Sequence, residues 1–288
     1  MLAVAEIEVR EAALADLPQI AAVALATGQD EEWGGADPAY MTHLLAYGRV
    51  VVGVAGGSVA GFGATRPLGS GPDAVSMLCD LFVHPDAHGL GIGQAVLAEL
   101  WRDEPRRMTF SSLHPHALPL YTRFGVDAWW PLLYLAGPVA ALRVPDGWSV
   151  SVSGPAEVAA AELGWTGVDR AADHRAWAAR PHGFPASVLR DGALVAAGTA
   201  AGDGDEFGIV HLAIAPGVTD DSARDAVLTL LASLDAPDGR AMVCLPAPHP
   251  AVRPLLGAGW RVRDKDLYMA SEPDLLDARR AVPSPSAA

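Results

Sequence analysis

Hydrophobic positions along this chain alternate between a period of two and a period of three to four, and the switches mark out the elements. Residues 7–10 predict a short strand. Residues 16–26 (DLPQIAAVALA) predict an amphipathic helix, with Asp16 as N-cap and Pro18 in its first turn. A polar loop with four acids around Trp33 follows at 28–38, then a second short helix at 39–47. Residues 49–55 and 59–65 predict a hairpin across Gly56, Gly57 and Ser58. Residues 77–83 are an apolar run broken only by Asp80, as in a strand buried on both faces. Pro85 ends it, Gly89, Gly91 and Gly93 alternate with Leu90 and Ile92, and Val96, Leu97 and Leu100 then fall at helical spacing. Another strand is expected at 108–113.

The same pattern returns in the second half of the chain. The segment LFVHPDAHGLGIGQAVL aligns without gaps on LAIAPGVTDDSARDAVL, so that Leu81 falls on Leu212 and Pro85 on Pro216. VAGGSVAGFG corresponds to LRDGALVAAG, and HPHALPLYTRFGV to PHPAVRPLLGAGW. A stretch with two prolines, two glycines and little periodicity separates the copies. The expected organisation is a first domain over 1–140, a linker at 141–147, a second domain over 148–274, and a disordered tail over 275–288. In the second copy Gly89, Gly91 and Gly93 are replaced by Asp220, Ser222 and Arg224, and Tyr121 by Leu255.

A strand, a glycine-rich turn and a helix N-terminus in that order suit an anion. The glycines let a ligand approach the backbone, and the amides at the start of the helix carry partial positive charge. A P-loop is excluded because no Lys-Ser or Lys-Thr follows, and the GxGxG spacing lacks the last glycine of a dinucleotide fingerprint. VHPDAHGLGIG instead resembles the acetyl-coenzyme A loop of the GNAT family of N-acetyltransferases, with Val83, Pro85, Gly91 and Gly93 in place and His88 where Arg or Gln is usual. A second family motif, an Asn followed by Ala, Leu-Tyr and Gly-Phe, is similar to the stretch from His114 through Ala117, Leu120, Tyr121 and Gly125. His114 stands where Asn is usual and Val126 where Phe is usual.

The resemblance implies an α/β fold of two tandem acyltransferase-like domains, each a twisted mixed sheet flanked by helices. It implies that the first copy binds acetyl-coenzyme A and passes its acetyl group to a primary amine by direct attack. Leu81, Phe82 and Val83 would meet the thioester and pantetheine arm; His88, Gly89, Leu90, Gly91, Ile92 and Gly93 would hold the pyrophosphate, with His114 beside them. Tyr121 is the expected general acid toward the departing thiolate, since a phenol stays protonated at neutral pH. Asp80 is the candidate base, raised in pKa by burial. Glu31, Glu32 and Trp33 are expected to contact a cationic acceptor. The replacements in the second copy put carboxylates where a pyrophosphate needs donors, so that copy is expected to be degenerate. Alternatives with the same fold are a longer acyl-coenzyme A or a hydroxyl acceptor, or an acyl-coenzyme A-binding sensor or scaffold.

Composition narrows the partners. A net charge of −14 argues against nucleic acid and against anionic membrane surfaces and would tolerate a cationic acceptor. With no recognisable protein-docking module and an extra domain able to close over a small site, the amine that the resemblance implies is expected to be a small molecule. Cys79 and Cys244 each lie in an apolar run, with neither a disulfide framework nor metal-ligand spacing, so no metal is expected. Glu6, Glu8, Arg10 and Glu11 fall where a signal peptide would need an apolar core, and no apolar run approaches the ~18 residues of a span. A cytoplasmic protein, monomeric or homodimeric, is expected.

Overall fold

The computed structural model describes residues 7–29 and 34–285. In chain order the first half contains β1 (Glu8–Glu11), α1 (Leu17–Ala26), α2 (Pro38–Tyr47), β2 (Arg49–Ala55), β3 (Ser58–Leu68), β4 (Val75–Val83), α3 (Ile92–Leu100), β5 (Arg107–Ser111), α4 (Ala117–Arg123) and β6 (Asp127–Pro138). The second half repeats the order with β7 (Trp148–Val152), α5 (Pro155–Thr166), α6 (Ala171–Ala178), β8 (Phe184–Arg190), β9 (Ala193–Ala201), β10 (Gly208–Ile214), α7 (Asp220–Ala232), β11 (Arg240–Pro246), α8 (Val252–Gly257) and β12 (Arg261–Ala270).

Alternation along the strands sorts the layers. In β2, Val50 and Val52 pack with Ile20, Val23, Met41 and Leu44 of α1 and α2. Val51 faces the other way and packs with Ile92, Val96, Leu97 and Leu100 of α3. Close seating of α3 depends on glycines in the sheet. A Cβ at Gly53 or Gly61 would stand 2.7 or 2.8 Å from Ile92 Cγ2, and one at Gly63 would stand 2.7 Å from Leu100 Cδ1. Any larger residue there would push α3, and the turn that leads into it, off the sheet.

The halves are joined more closely than a linker implies. All twelve strands form one sheet, in the order β1-β2-β3-β4-β5-β12-β6-β11-β10-β9-β8-β7. The last strand of each half has crossed to the other. β12 pairs antiparallel with β5, β6 pairs antiparallel with β11, and the two pair with each other. The expectation of one sheet per half therefore becomes a shared sheet. Hydrophobic alternation specifies that a segment is a strand but not which edge it joins, and the exchange gives both crossing strands a neighbour on each side. Tight packing holds the crossing: a Cβ at Gly137 of β6 would fall 2.3 Å from the ring of Trp260, which is fully buried. A buried polar bridge adds to it. Arg66 of β3 reaches both carboxylate oxygens of Asp173 in α6, at 2.8 and 2.7 Å, and His43 of α2 meets the same carboxylate at 2.6 Å.

Two local expectations change. Asp16 stands at the N-cap position of α1, but its side chain does not cap the helix; the carboxylate accepts from Arg10 at 2.7 and 2.8 Å and from the Ala13 amide at 2.8 Å. The segment expected as a disordered tail is packed against the second half up to residue 285. Val282 and Ser284 are buried, and the Leu212 amide donates to the Val282 carbonyl at 3.1 Å. The tail is apolar where it meets β10 and charged where it meets α7, a match that composition alone does not reveal.

Candidate active site

The site begins as a defect in the sheet. β4 pairs in parallel with β5 only through Ser76, Met77 and Leu78, where the Thr109 hydroxyl donates to the Leu78 carbonyl at 3.0 Å. Along β3 the pairing skips Cys79, which forms a bulge, and resumes from Asp80 to Val83. Beyond Leu78, β4 therefore has β3 on one side and an opening on the other. The His84 amide donates to Ala60 of β3, so by alternation the amides of Leu81 and Val83 face the opening.

The glycine turn closes the far end of this opening. Gly91 sits at φ +85° as the N-cap of α3, and Gly89 at φ +80°. No atom lies within 4 Å of where a Cβ would stand at either position. The amides of Gly89, Gly91, Ile92, Gly93 and Gln94 donate to no described residue, whereas those of His88 and Leu90 close local turns onto Pro85 at 3.2 Å and Ala87 at 3.4 Å. The structure thus alters the expected set. Leu90 is half exposed and does not line the cavity, and Gln94, which the motif did not single out, adds an unpaired amide. The His88 ring turns inward, its Nε2 3.0 Å from the Val83 carbonyl.

Opening and turn together line a cavity of about 750 Å³. Leu81, Phe82, Val83, His88, Gly89, Gly91, Ile92, Gly93, His114 and Tyr121 all reach it. The remaining walls include Thr27, Gln29, Ser112, His116 and Arg123, and no Asp or Glu is among the described lining residues. In a chain of net charge −14, five free amides and an arginine among the described lining residues give this cavity donors suited to an anion. His114 Nδ1 accepts from the His116 amide at 3.4 Å at the start of α4.

Of the two ionisable groups expected to act, Tyr121 lines the cavity, whereas Asp80 is not among its lining residues. Tyr121 is buried on α4 beside Trp101, their rings 6.3 Å apart. Burial first, and the Asp80 carboxylate second, push its phenol above the ordinary value, so it remains a proton donor throughout the neutral range. Asp80 is buried next to the bulge. Burial raises its pKa to about 6, and the hydrogen bond from the Tyr40 hydroxyl, 2.7 Å from Oδ2, acts against that rise. Tyr40 lies forty residues away on α2, and no local signal in the sequence ties it to Asp80. The expected acceptor contacts Glu31, Glu32 and Trp33 lie outside the described residues.

The second half holds a cluster that sequence spacing did not show. Glu162 receives His174 Nε2 and His211 Nε2, each at 2.9 Å, and Arg170 Nε at 3.0 Å. The three could ligate a metal by distance, but both imidazoles and the guanidinium already share the two carboxylate oxygens. Those bonds and the Arg170 charge hold the Glu162 carboxyl below its usual range against burial.

Comparison with known proteins bears on this cavity. A model of the acetyltransferase (GNAT) domain matches residues 46–126, which span β2 to α4 and so contain the opening, the glycine turn and Tyr121. A putative acetyltransferase from Pyrococcus horikoshii superposes with a TM-score of 0.68 at 12% identity, over 96% of this chain and 93% of its own. A tandem GNAT protein from the clavulanic acid biosynthesis pathway gives 0.59 at 16% identity, over 93% and 99%. A glucosamine N-acetyltransferase region of a fungal multi-domain enzyme gives 0.65 at 13% identity, over 93% of this chain and 38% of that one. At such identities the likeness establishes the fold. No curated protein matches the sequence significantly.

Proposed function

The first half of this chain carries a GNAT acetyltransferase domain, the mark of an acyltransferase, and from that premise we propose that it transfers the acetyl group of acetyl-coenzyme A to a primary amine of a small molecule. The observation that carries the proposal is the cavity at the turn before α3, where five amides donate to no described residue. The residues fit the donor. The amides of Gly89, Gly91, Ile92, Gly93 and Gln94 would hold its pyrophosphate, and the Leu81 and Val83 amides would meet its extended arm along β4. Acetyl-coenzyme A would supply an activated acyl group with a thiolate as leaving group.

The chain's own part is to orient and to move protons. Leu81 and Val83 fix the arm so that the carbonyl is held for direct attack, which draws its rate from proximity. Asp80 accepts the proton that the amine loses. With a pKa of about 6 it is ionised at neutral pH yet basic enough to serve. Tyr121 gives its proton to the departing sulfur and regains one from solvent. The loop with Glu31, Glu32 and Trp33 is proposed to receive the cationic acceptor. The fungal neighbour's amino-sugar activity and the tandem neighbour's place in a small-molecule pathway support an acceptor of that size.

Calorimetric titration of acetyl-coenzyme A into the wild type and into Gly91→Glu tests the donor assignment. One equivalent bound, and lost in the variant, is the expected result. No binding by the wild type would overturn the proposal. A panel of small amines with thiol release as the readout then tests the acceptor class.

A further inference from the structure

The second half contains the same opening as the first, and its occupant is visible. β10 pairs with β11 only at Gly208 and Ile209, and along β9 the pairing skips Val210 before resuming at His211. Val210 occupies the register position of Cys79, and Leu212 that of Leu81. Even the closing bond is repeated, since the Ala215 amide donates to Val195 as His84 does to Ala60. In the first half the Leu81 amide faces a cavity. In the second, the Leu212 amide donates to Val282, and the two residues form an antiparallel bridge.

The turn is matched as well. Asp220, at the position of Gly89, is paired with Arg279, whose Nε lies 2.8 Å from Oδ2, and Arg280 Nη2 reaches the Val218 carbonyl at 2.9 Å. The Ser222 amide, at the position of Gly91, is already taken by Thr219 Oγ1 at 3.2 Å. Val282 belongs to the second half's core together with Leu212, Ile214 and Val227. Beside the segment remains a cavity of about 690 Å³ facing the first half, whose walls carry Asp73, Glu162 and Asp277 together with Arg106, Arg170 and Arg280.

We propose that residues 277–284 are a built-in ligand of the second half, a tight turn whose arginines neutralise the turn before α7, followed by a short segment through Val282 that occupies the opening of β10. This rests on the reading of the first-half opening as the acyl-donor site, because it makes the second opening the counterpart of that site, filled permanently by the chain itself. The second half consequently binds no acyl-coenzyme A and serves to carry the strand that completes the first half's sheet.

Amide hydrogen exchange read by mass spectrometry on peptides covering 208–214 tests this without reference to activity. In the full chain, Arg279→Glu with Arg280→Glu should speed exchange at 208–214 at least tenfold and leave 77–83 unchanged. Unchanged exchange at 208–214 would overturn the proposal. The same full-length chain with Arg279→Glu and Arg280→Glu provides a second measurement: a synthetic peptide of residues 276–288 should restore protection of 208–214, and acetyl-coenzyme A should not. Protection by acetyl-coenzyme A, or a second bound equivalent in calorimetry, would overturn it in favour of a suppressed donor site. Absence of any acetyl-coenzyme A binding would refute the proposed function while the peptide's effect on exchange still decides this one.

Discussion

β4 and β10 open at the same register, behind the same bulge, yet one opening lines a cavity and the other is bridged to the chain's own C-terminal segment. The backbone frame is common to both halves, so the frame does not decide which half receives a ligand. The difference lies in what lines it. Around β4 the turn at 89–93 offers unpaired amides, while around β10 the corresponding turn carries Asp220 and Asp221 and its partners are supplied from within. A tandem fold can thus keep two openings and commit only one of them to outside chemistry.

The sharpest test of that asymmetry is Asp80→Asn. The amide still accepts from Tyr40 but cannot take a proton, so activity should fall about 10²- to 10⁴-fold, with loss of the acid limb near pH 6 in a rate profile. Stability should move the other way. Folding raises this carboxyl from 3.8 to about 6, so ionisation above that range penalises the fold, and the variant's melting temperature at pH 8 should equal or exceed that of the wild type. A melting temperature that drops would indicate that the carboxylate is structural.

Asp173→Ala should break the bridge between the halves. It strands Arg66 in the interior without its partner, and denaturant unfolding should show a loss of about 3–5 kcal/mol. The wild-type pair carries a pH signature of opposite sign to Asp80. Burial raises the Asp173 carboxyl, but His43 and Arg66 together more than offset it, so its stabilisation is present above the normal carboxylate range and is lost as pH falls through the lowered value.

Gly91→Glu forces a side chain at φ +85° and sets a carboxylate in the cradle, and donor affinity should fall at least ~100-fold in calorimetry. Tyr121→Phe removes a proton but keeps the ring against Trp101, so kcat should fall about 10-fold or more with the donor KM unchanged. The smallest effect is expected from Arg224→Gly, the counterpart of Gly93: donor stoichiometry should stay at one, and a value of two would erase the contrast between the halves.

Much of this could be read from residue order. The strand around Asp80, the Gly89-Gly91-Gly93 turn, the helix behind it and the placing of Tyr121 are local patterns, and local backbone preferences act over a few residues. The internal repeat was legible for the same reason, since equivalent segments keep equivalent spacing. The free amide of Gln94 and the used amide of Leu90 were not legible, because they depend on how the turn is wound. Nor was the hydrogen bond from Tyr40 to Asp80, which joins residues forty positions apart.

The sequence by itself determined the strands and helices, the glycine turn and the loss of that turn in the second copy. Only the tertiary structure decided that β6 and β12 exchange places, that Arg66 meets Asp173 across the halves, and that the tail lies along β10. The physical reason is one of range. Side-chain period and backbone propensity are set by neighbours in the chain, whereas the partner of a strand edge or of a buried charge is chosen by which distant group can satisfy it once the core has closed.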